Sequence, residues 1–240
     1  MAPLRVLSWN CRSINNKVTE LTTLSCNYDI IVLIETWLNA GTQLNIPNFS
    51  IIRKDRQHRN GGGLAILVRF GLSWHTADNT AQEFLSAETL SIKVTSLKKP
   101  LTLLACYRPP SHNLNPTQWD NLFKTICSEG TFLLVGDFNA LHPTWNCDTT
   151  NPAGEELHKL INKHNLIVHN IDTYSHLSYN QHRNSNLDLI ISSTDIAHLI
   201  TTQQLEDTLG SDHFPVECIF NTEKYSYQKK TNRLSTIKTN

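Results

Sequence analysis

The stretch "LLVGDFNALHP", residues 133–143, begins as an apolar strand and ends on a carboxylate and an amide. Leu133 to Val135 have the composition of a buried strand, whereas Asp137 and Asn139 are groups that a core would penalise. Side chains alternate along a strand, so Asp137 and Asn139 share one side if the extended run continues. In parallel or mixed α/β sheets, ligands bind outside the carboxyl ends of the strands. The stretch therefore predicts one wall of an active site.

Other apolar runs also end in polar side chains or are interrupted by them. The residues are Asn10 after "VLSW", Glu35 after "IIVLI", Tyr107 after "LLAC", Asp188 within "NLDLII", and Asp212 with His213 before "FPVECIF". Carboxylate and amide oxygens suit a hard divalent ion, Mg²⁺ or its substitute Mn²⁺. A nearby His and a spare carboxylate fit the hydrolysis of a phosphate ester. The pattern predicts a metal-dependent phosphoesterase site.

Composition narrows the class of protein. The 240 residues are 39% apolar and 18% charged, which is enough to bury a core and argues against disorder. Lys plus Arg and Asp plus Glu number 21 each, a balance that does not by itself indicate a nucleic-acid binder. The six Cys form no C-x-x-C pair, so we expect no structural zinc site and a reduced, intracellular compartment. The chain has no signal-like leader and no long apolar run, so neither secretion nor membrane spanning is expected.

The order of elements predicts the architecture. Helical spacing is found near residues 14–24, from 115 and from about 153, and "LKKP" separates two strands that read as an antiparallel pair. The predicted strands are 4–10, 29–36, 61–70, 86–96, 101–110, 132–139, 186–192 and 214–220, with a further strand after the helix that begins at about 153. Because βα units alternate with direct strand pairs, we predict two mixed sheets packed face to face with helices outside. The polar, basic residues 221–240 predict a tail or linker after a domain over residues 1–220.

The motifs "SWN", "IETW", "GGGLAILV", "CYRPP", "GDFNALHPTW", "SNLDLII" and "GSDHFPV", in that order, resemble the endonuclease/exonuclease/phosphatase superfamily. More closely, they resemble the apurinic-type endonuclease domain of non-LTR (LINE-type) retrotransposons. The resemblance extends from about Leu4 to Phe220, and "GDFN" with a later "SDH" is its most specific pair. It implies a four-layered α/β sandwich of the DNase I-like type.

The resemblance implies a metal site. Glu35 would bind Mg²⁺, with Asn10 and Asp212 close to the metal or its waters. In the repair branch of the superfamily an acidic residue usually stands two positions after the first Asn. Here that position is Arg12. This difference argues against a repair enzyme.

The resemblance also implies the catalytic residues. Asp137 would deprotonate or orient the attacking water, and Asn139 would hold that water and the phosphate. His213 would contact the scissile phosphate, while Asp188 bonds its other ring nitrogen and fixes the tautomer. Tyr107 would donate to the phosphate or assist the leaving oxygen.

Two segments and one further arginine are candidate DNA contacts. The basic stretch 53–63 is either a solvated loop or a phosphate clamp. The stretch 175–186 is either an ordinary long hairpin or a loop that enters a minor groove. The candidate residues are Arg53, Arg56, Arg59, Arg108, Ser175, His182, Arg183 and Ser185.

The resulting hypothesis is a Mg²⁺-dependent DNA endonuclease. It would nick double-stranded target DNA and leave a 3′-hydroxyl, which a reverse transcriptase in the same polyprotein extends. It would act in the nucleus after synthesis in the cytoplasm, without secretion. The alternatives are an abasic-site repair enzyme, a phosphoinositide or sphingomyelin phosphodiesterase, and a DNA-binding module on an inactive nuclease fold.

Overall fold

A computed structural model of the protein describes residues 3–57, 61–77, 87–110, 115–177 and 184–225. Within these residues the chain forms two six-stranded sheets, a short two-stranded ribbon and three α-helices. The strands are β1 Leu4–Asn10, β2 Ile30–Ile34, β3 Phe49–Lys54, β4 Leu64–Arg69, β5 Trp74–Thr76, β6 Glu88–Val94, β7 Leu101–Tyr107, β8 Phe132–Asp137, β9 Ile167–Val168, β10 His176–Leu177, β11 Asn184–Ser185, β12 Asp188–Ser192, β13 Ile200–Gln204 and β14 Val216–Phe220. The helices are α1 Val18–Ser25, α2 Pro116–Ser128 and α3 Pro152–Lys163.

Both large sheets are mixed, as predicted. The first sheet has the order β13-β14-β1-β2-β4-β3, in which β1 and β2 are parallel. The second sheet has the order β5-β6-β7-β8-β12-β9, in which β7 and β8 are parallel. β6 and β7 form the antiparallel pair that the "LKKP" break indicates. The ribbon pairs β10 with β11.

The central strands are buried on both faces, which explains their continuous apolar sequences. Leu4 and Val6 of β1 point into the core between the sheets, whereas Leu7 and Trp9 point outward. α1 and the chain from Leu38 to Phe49 cover that outer face. α2 and α3 cover the outer face of the second sheet. The predicted four-layered α/β sandwich is confirmed.

The helices α2 and α3 begin with the same local chemistry. Asn115 caps α2 by accepting hydrogen bonds from the backbone of Thr117 and Gln118, as its sequence predicts. Asn151 caps α3 by accepting from Gly154 N at 2.7 Å. Asn151 Nδ2 also donates to the carbonyl of Asn139 at 3.0 Å. The start of α3 is thus tied to the loop after β8.

Several boundaries differ from the sequence prediction. β2 ends at Ile34, because Glu35 turns into the left-handed region with φ 54°. α1 begins only at Val18. The sequence did not predict β3, β5 or β13, and Arg53 belongs to the end of β3 and not to a loop. In β3 a short apolar run passes directly into the basic stretch, which hides its strand character.

The chain beyond β14 stays in contact with the sheets as far as Tyr225. Lys224 Nζ donates to Asp29 Oδ2 at 2.8 Å, and Tyr225 N donates to the carbonyl of Ser96 at 2.7 Å. Residues 226–240 lie outside the described part of the chain, and the predicted division after residue 220 stays a prediction. Among the described helices, none is long and apolar enough to cross a membrane.

Gly136→Ala tests the close approach of β7 to β8. A Cβ at Gly136 would lie 1.8 Å from the carbonyl oxygen of Cys106, so the backbone would have to move. At about 3 kcal/mol for such overpacking, we expect thermal unfolding about 6 to 12 °C lower. Gly41→Ala is the control, since its nearest atom is a side-chain oxygen of Asn39 at 3.4 Å. A shift below about 2 °C in Gly136→Ala would contradict the packing described here.

Candidate active site

The strand ends bring the predicted polar residues together at one edge of the two sheets, which we call the site edge. β1 and β2 run parallel, as do β7 and β8, so their carboxyl ends lie there. β12 runs antiparallel to β8, and its first residue, Asp188, pairs with Asp137. The predicted residues linked at this edge are Asn10, Glu35, Tyr107, Asp137, Asn139, Asp188, Asp212 and His213.

Asp137 lies where the two sheets meet. Asn10 Nδ2, from the first sheet, donates to Asp137 Oδ2 at 2.9 Å, and Asn139 N donates to Asp137 Oδ1 at 2.9 Å. Only 1% of Asp137 is exposed. Burial, and then the charge of Asp188, raise the pKa of Asp137 to about 7, although His213 acts in the opposite direction. A carboxyl group with this pKa can exchange a proton near neutral pH.

Asn139 reaches Asp137 by a different route from the one its spacing suggests. β8 ends at Asp137, and Asn139 has a left-handed backbone with φ 45°, so the extended run does not continue. Asn139 Nδ2 donates to the carbonyl of Arg108 at 2.9 Å and to Asp137 Oδ2 at 3.2 Å. Arg108 in turn donates to the carbonyls of Phe138 and Asn139 at 3.3 and 3.2 Å. The turn is therefore held from both sides.

Asp188 and His213 form a buried ion pair. His213 Nδ1 and Asp188 Oδ2 are 2.6 Å apart, and the two side chains are 8% and 2% exposed. Burial lowers the pKa of His213, but the Asp188 carboxylate, together with Asp137 and Asp212, raises it to about 9. His213 is therefore an imidazolium at neutral pH. This arrangement matches the predicted pairing of the two residues.

Glu35 follows β2 and faces both sheets. Its Oε1 accepts from Asn10 Nδ2 at 3.3 Å, and its Oε2 accepts from Trp37 Nε1 at 3.0 Å. Tyr107 lies beside it, and burial followed by the charge of Glu35 raises the pKa of Tyr107 well above 10. The Tyr107 hydroxyl therefore keeps its proton and can serve as a donor.

The glycine run before β4 packs around an ion pair between Arg56 and Glu88. A Cβ at Gly62 would lie 2.2 Å from the Arg56 guanidinium carbon, and Gly63 N donates to Glu88 Oε2 at 2.7 Å. The Arg56 guanidinium lies 5.4 Å from the centre of the Tyr107 ring. The glycines thus make room for a cation beside Tyr107.

Asp212 lies at the rim of the site. Asp212 Oδ2 pairs with Arg12 Nη1 at 2.7 Å. The preceding Ser211 donates its hydroxyl to the carbonyl of Asn10 at 2.8 Å and accepts from His213 N at 3.2 Å. Ser211 thereby fixes the Asp212–His213 segment to the end of β1.

Sequence reasoning missed several supporting residues. The hydroxyl of Ser211 and the Glu88 carboxylate act through contacts between segments that are distant in the chain. His176 lies next to the ion pair, with its ring centre 4.7 Å from that of His213. Buried Asn170 donates to the carbonyl of Asp188 at 2.7 Å. A polar residue at a strand end was the one usable signal, and Glu88, the first residue of β6, has it.

Several of the candidate DNA-contact residues are bound to partners within the fold. Arg53 donates to the carbonyls of Thr42 and Asn39 at 2.6 and 3.1 Å, and Arg108 holds the turn after β8. Ser175 is fully buried, and its hydroxyl accepts from Leu187 N and Asp188 N at 2.9 Å each. In this structure Ser175 therefore supports the start of β12 and offers no surface to DNA, contrary to its predicted role.

The remaining candidate DNA-contact residues are either bound within the fold or outside the described residues. Ser185 lies in β11, with its hydroxyl 3.4 Å from His176 Nδ1. Arg56 is engaged with Glu88. Arg59, His182 and Arg183 lie outside the described residues. For all of these, a role in DNA binding stays a prediction.

Left-handed backbone conformations concentrate at the site edge. Five residues that are not glycine show them there: Arg12 with φ 41°, Ser13 with 78°, Glu35 with 54°, Trp37 with 54° and Asn139 with 45°. Such conformations are unfavourable for L-residues and persist where surrounding contacts enforce them. Their clustering marks this edge as a functional site.

The donor atoms present fit a divalent cation. Asp188 Oδ1 and Asp212 Oδ1 are buried and, within the described residues, have no hydrogen-bond partner. Asp137 and Asp188 each offer a carboxylate oxygen within 4.8 Å of the other. Together with Glu35, this is an oxygen-rich set of the kind that Mg²⁺ or Mn²⁺ prefers. Asn10 presents its Nδ2 donors to the carboxylates, while its Oδ1 accepts from Arg12 N at 3.1 Å.

Comparisons with known proteins agree with this geometry. Residues 101–217 match the protein family described as endonuclease-reverse transcriptase. A probable RNA-directed DNA polymerase from transposon BS of Drosophila melanogaster is 27% identical over 222 residues, which are 90% of this chain and 24% of that protein. The predicted resemblance to an apurinic-type endonuclease domain of a non-LTR retrotransposon is confirmed.

Two further matches agree with this resemblance. The RNA-directed DNA polymerase from mobile element jockey of Drosophila melanogaster is 25% identical over 89% of this chain and 23% of that protein. The endonuclease domain of TRAS1, a telomere-specific non-LTR retrotransposon, shares the fold with a TM-score of 0.75 and 17% identity, over 92% of this chain and 100% of that one. The chain spans about a quarter of the length of the two curated relatives.

The Asp188–His213 pair should make stability depend on pH. The pKa of His213 is raised from 6.5 to about 9 in the folded protein, so its stabilisation is complete below about pH 6.5 and is lost as pH rises through 9. The difference in unfolding free energy between wild type and His213→Gln should shrink by on the order of 3 kcal/mol from pH 6 to pH 10. Urea denaturation of both proteins in EDTA, at pH 6 and at pH 10, measures this difference in unfolding free energy. His198→Gln, at the opposite edge, is the control, and a pH-independent difference for His213→Gln would contradict the ion pair.

Proposed function

We propose that this domain is a Mg²⁺-dependent DNA endonuclease that nicks one strand of a duplex by hydrolysis and leaves a 3′-hydroxyl. The observation that carries the proposal is the buried Asp137, held by Asn10 and Asn139 and facing the Asp188–His213 pair. This arrangement supplies a base, a phosphate-binding cation and oxygen ligands within one small volume. Phosphodiester hydrolysis requires all three.

Asp137 would prepare the attacking water. Its burial raises its pKa to about 7, so the carboxylate can accept a proton near neutral pH. Asn139 is held by Asp137 and by the carbonyl of Arg108. Its amide would orient the water, and with it the phosphate, towards Asp137.

His213 would bind the non-bridging oxygens of the phosphate. Asp188 accepts from Nδ1, which leaves Nε2 with its proton for the substrate. Because the ring is an imidazolium at neutral pH, it would stabilise negative charge that develops on the phosphate. Tyr107, which stays protonated, would donate to the phosphate or to the leaving oxygen.

Glu35, with Asp212 and Asn10 nearby, would hold the divalent cation. The ion, when bound, neutralises charge on the phosphate and on the leaving oxygen. Asn10 places one amide between Glu35 and Asp137, which keeps the cation ligand and the base at a fixed separation. Fixed ligands of this type require no rearrangement during the reaction.

The relatives suggest the biological setting. They are RNA-directed DNA polymerases from mobile elements, about four times as long as this chain. We infer that a reverse transcriptase in the same polyprotein extends the 3′-hydroxyl, that the target is genomic double-stranded DNA, and that the domain acts in the nucleus after synthesis in the cytoplasm. An abasic-site repair activity is the second candidate, and Arg12, at the position where the repair branch usually has an acidic residue, argues against it.

Nicking of supercoiled plasmid tests the proposal. With Mg²⁺ the wild type should convert plasmid to the open-circular form, and EDTA should abolish this. Asp137→Asn and His213→Gln should lower the rate about 10²- to 10⁴-fold, as expected for loss of acid–base groups. Glu35→Gln should raise the Mg²⁺ concentration required. Glu155→Gln, an exposed carboxylate on α3 paired with Lys159, is the matched control.

Primer extension from the nicks identifies their chemistry. A polymerase should extend them directly, because they end in 3′-hydroxyl. Cleavage that requires an abasic site in the duplex would favour the repair activity. Release of phosphate from inositol lipids without nicking of DNA would instead assign a lipid phosphodiesterase.

A further inference from the structure

Arg12 occupies a position at the site edge that the proposed chemistry does not use. Its Nη1 pairs with Asp212 Oδ2 at 2.7 Å and so joins the loop after β1 to the loop before β14. The other oxygen of that carboxylate, Asp212 Oδ1, is buried and has no partner among the described residues. Of the two oxygens of this carboxylate, one is therefore bound to a guanidinium, and the other is available to a cation.

The backbone of this loop is held by several hydrogen bonds, whereas the tip of Arg12 lies in an exposed ion pair. Arg12 and Ser13 are both left-handed, and Lys17 Nζ donates to the carbonyls of Cys11, Arg12 and Ser13 at 2.5, 3.2 and 3.1 Å. Arg12 N also donates to Asn10 Oδ1 at 3.1 Å. The contacts hold an unfavourable conformation in place, which is typical of functional positions. They fix the start of the Arg12 side chain at the rim.

The Arg12 side chain is more exposed than those of the predicted DNA-contact arginines that form ion pairs. It is 56% exposed, compared with 24% for Arg53 and 18% for Arg56. An exposed ion pair contributes little free energy, so its partners can be exchanged easily. A phosphate offers the planar guanidinium a bidentate partner. Among these arginines, Arg12 is therefore the one best able to leave its internal contact for a DNA backbone.

We propose that Arg12 and the divalent cation compete for Asp212 in the free protein, and that a DNA phosphate takes over Arg12 when the substrate binds. The inference rests on the proposed function. A guanidinium on Asp212 repels a second cation and withholds one oxygen from it. Transfer of Arg12 to a phosphate removes both effects, so DNA and the divalent cation bind with positive coupling.

Mn²⁺ binding to the free protein, followed by electron paramagnetic resonance, tests the competition without any turnover. Arg12→Ala should tighten Mn²⁺ binding about 3- to 10-fold, because Asp212 is released and a positive charge is removed. Arg12→Lys keeps the charge and should stay closer to wild type. Lys98→Ala removes an exposed ion pair with Glu223 at the opposite edge and should leave the affinity unchanged. Unchanged or weaker Mn²⁺ binding in Arg12→Ala would show that Arg12 only braces the loop, and would overturn the inference.

DNA binding gives a second, independent readout. In EDTA, a fluorescent duplex should bind Arg12→Ala more weakly than wild type, and the slope of log Kd against log salt should fall by about 0.9, as expected for one lost phosphate contact. An unchanged slope would contradict the transfer. If wild type nicks plasmid and either result is negative, the inference alone fails. If wild type neither binds Mn²⁺ nor nicks, the proposed function fails with it.

Discussion

The site depends on a carboxylate that is buried where two β-sheets meet. Asp137 ends β8 in the second sheet, and its hydrogen-bond partner Asn10 ends β1 in the first. Face-to-face packing of the sheets therefore creates this contact, and it cannot form within either sheet alone. A buried carboxylate requires hydrogen-bond donors and a nearby positive charge. Asn10, Asn139 and His213 provide them. His213 and the backbone of Asn139 lower the pKa of Asp137, but burial and the charge of Asp188 still raise it to about 7.

Charged groups at the site edge affect the protonation of specific neighbours. Asp188 fixes His213 as a cation, and that cation partly offsets the raised pKa of Asp137. On the other side of Asn10, Glu35 faces Tyr107 and Trp37. The side-chain amide of Asn10 thus lies between Glu35 and Asp137, two carboxylates with different surroundings. The strained backbones at Glu35 and Asn139 show that the fold holds these groups where free strands would not place them.

Much of this could be predicted from the sequence. Apolar runs that end in Asn10, Glu35, Tyr107 and Asp137 identify strands whose ends meet, because parallel neighbours share an edge. The position of Asn139 was predicted for the wrong reason, since a left-handed turn and not strand alternation brings it to Asp137. Such turns depend on contacts with distant segments, which a periodicity does not encode.

The residues that sequence reasoning missed or misplaced share a physical property. They act through partners far away in the chain, as Ser175 does on the backbone of Leu187 and Asp188, or Glu88 on Arg56. A basic stretch in the sequence indicates positive charge, but it does not show which of its side chains are bound to partners within the fold.

The use of arginines inside the fold limits how this domain can engage DNA. Arg53, Arg56 and Arg108 have internal partners, and the formal net charge is zero with His neutral. Among the described residues these three arginines therefore add little attraction to a polyanion, and with balanced net charge we expect binding by the isolated domain to be weak and sensitive to salt. A weakly binding nuclease within a longer polypeptide gains effective concentration at the target from the parts joined to it. Balanced charge is therefore compatible with a DNA endonuclease whose access to DNA is set by the whole protein.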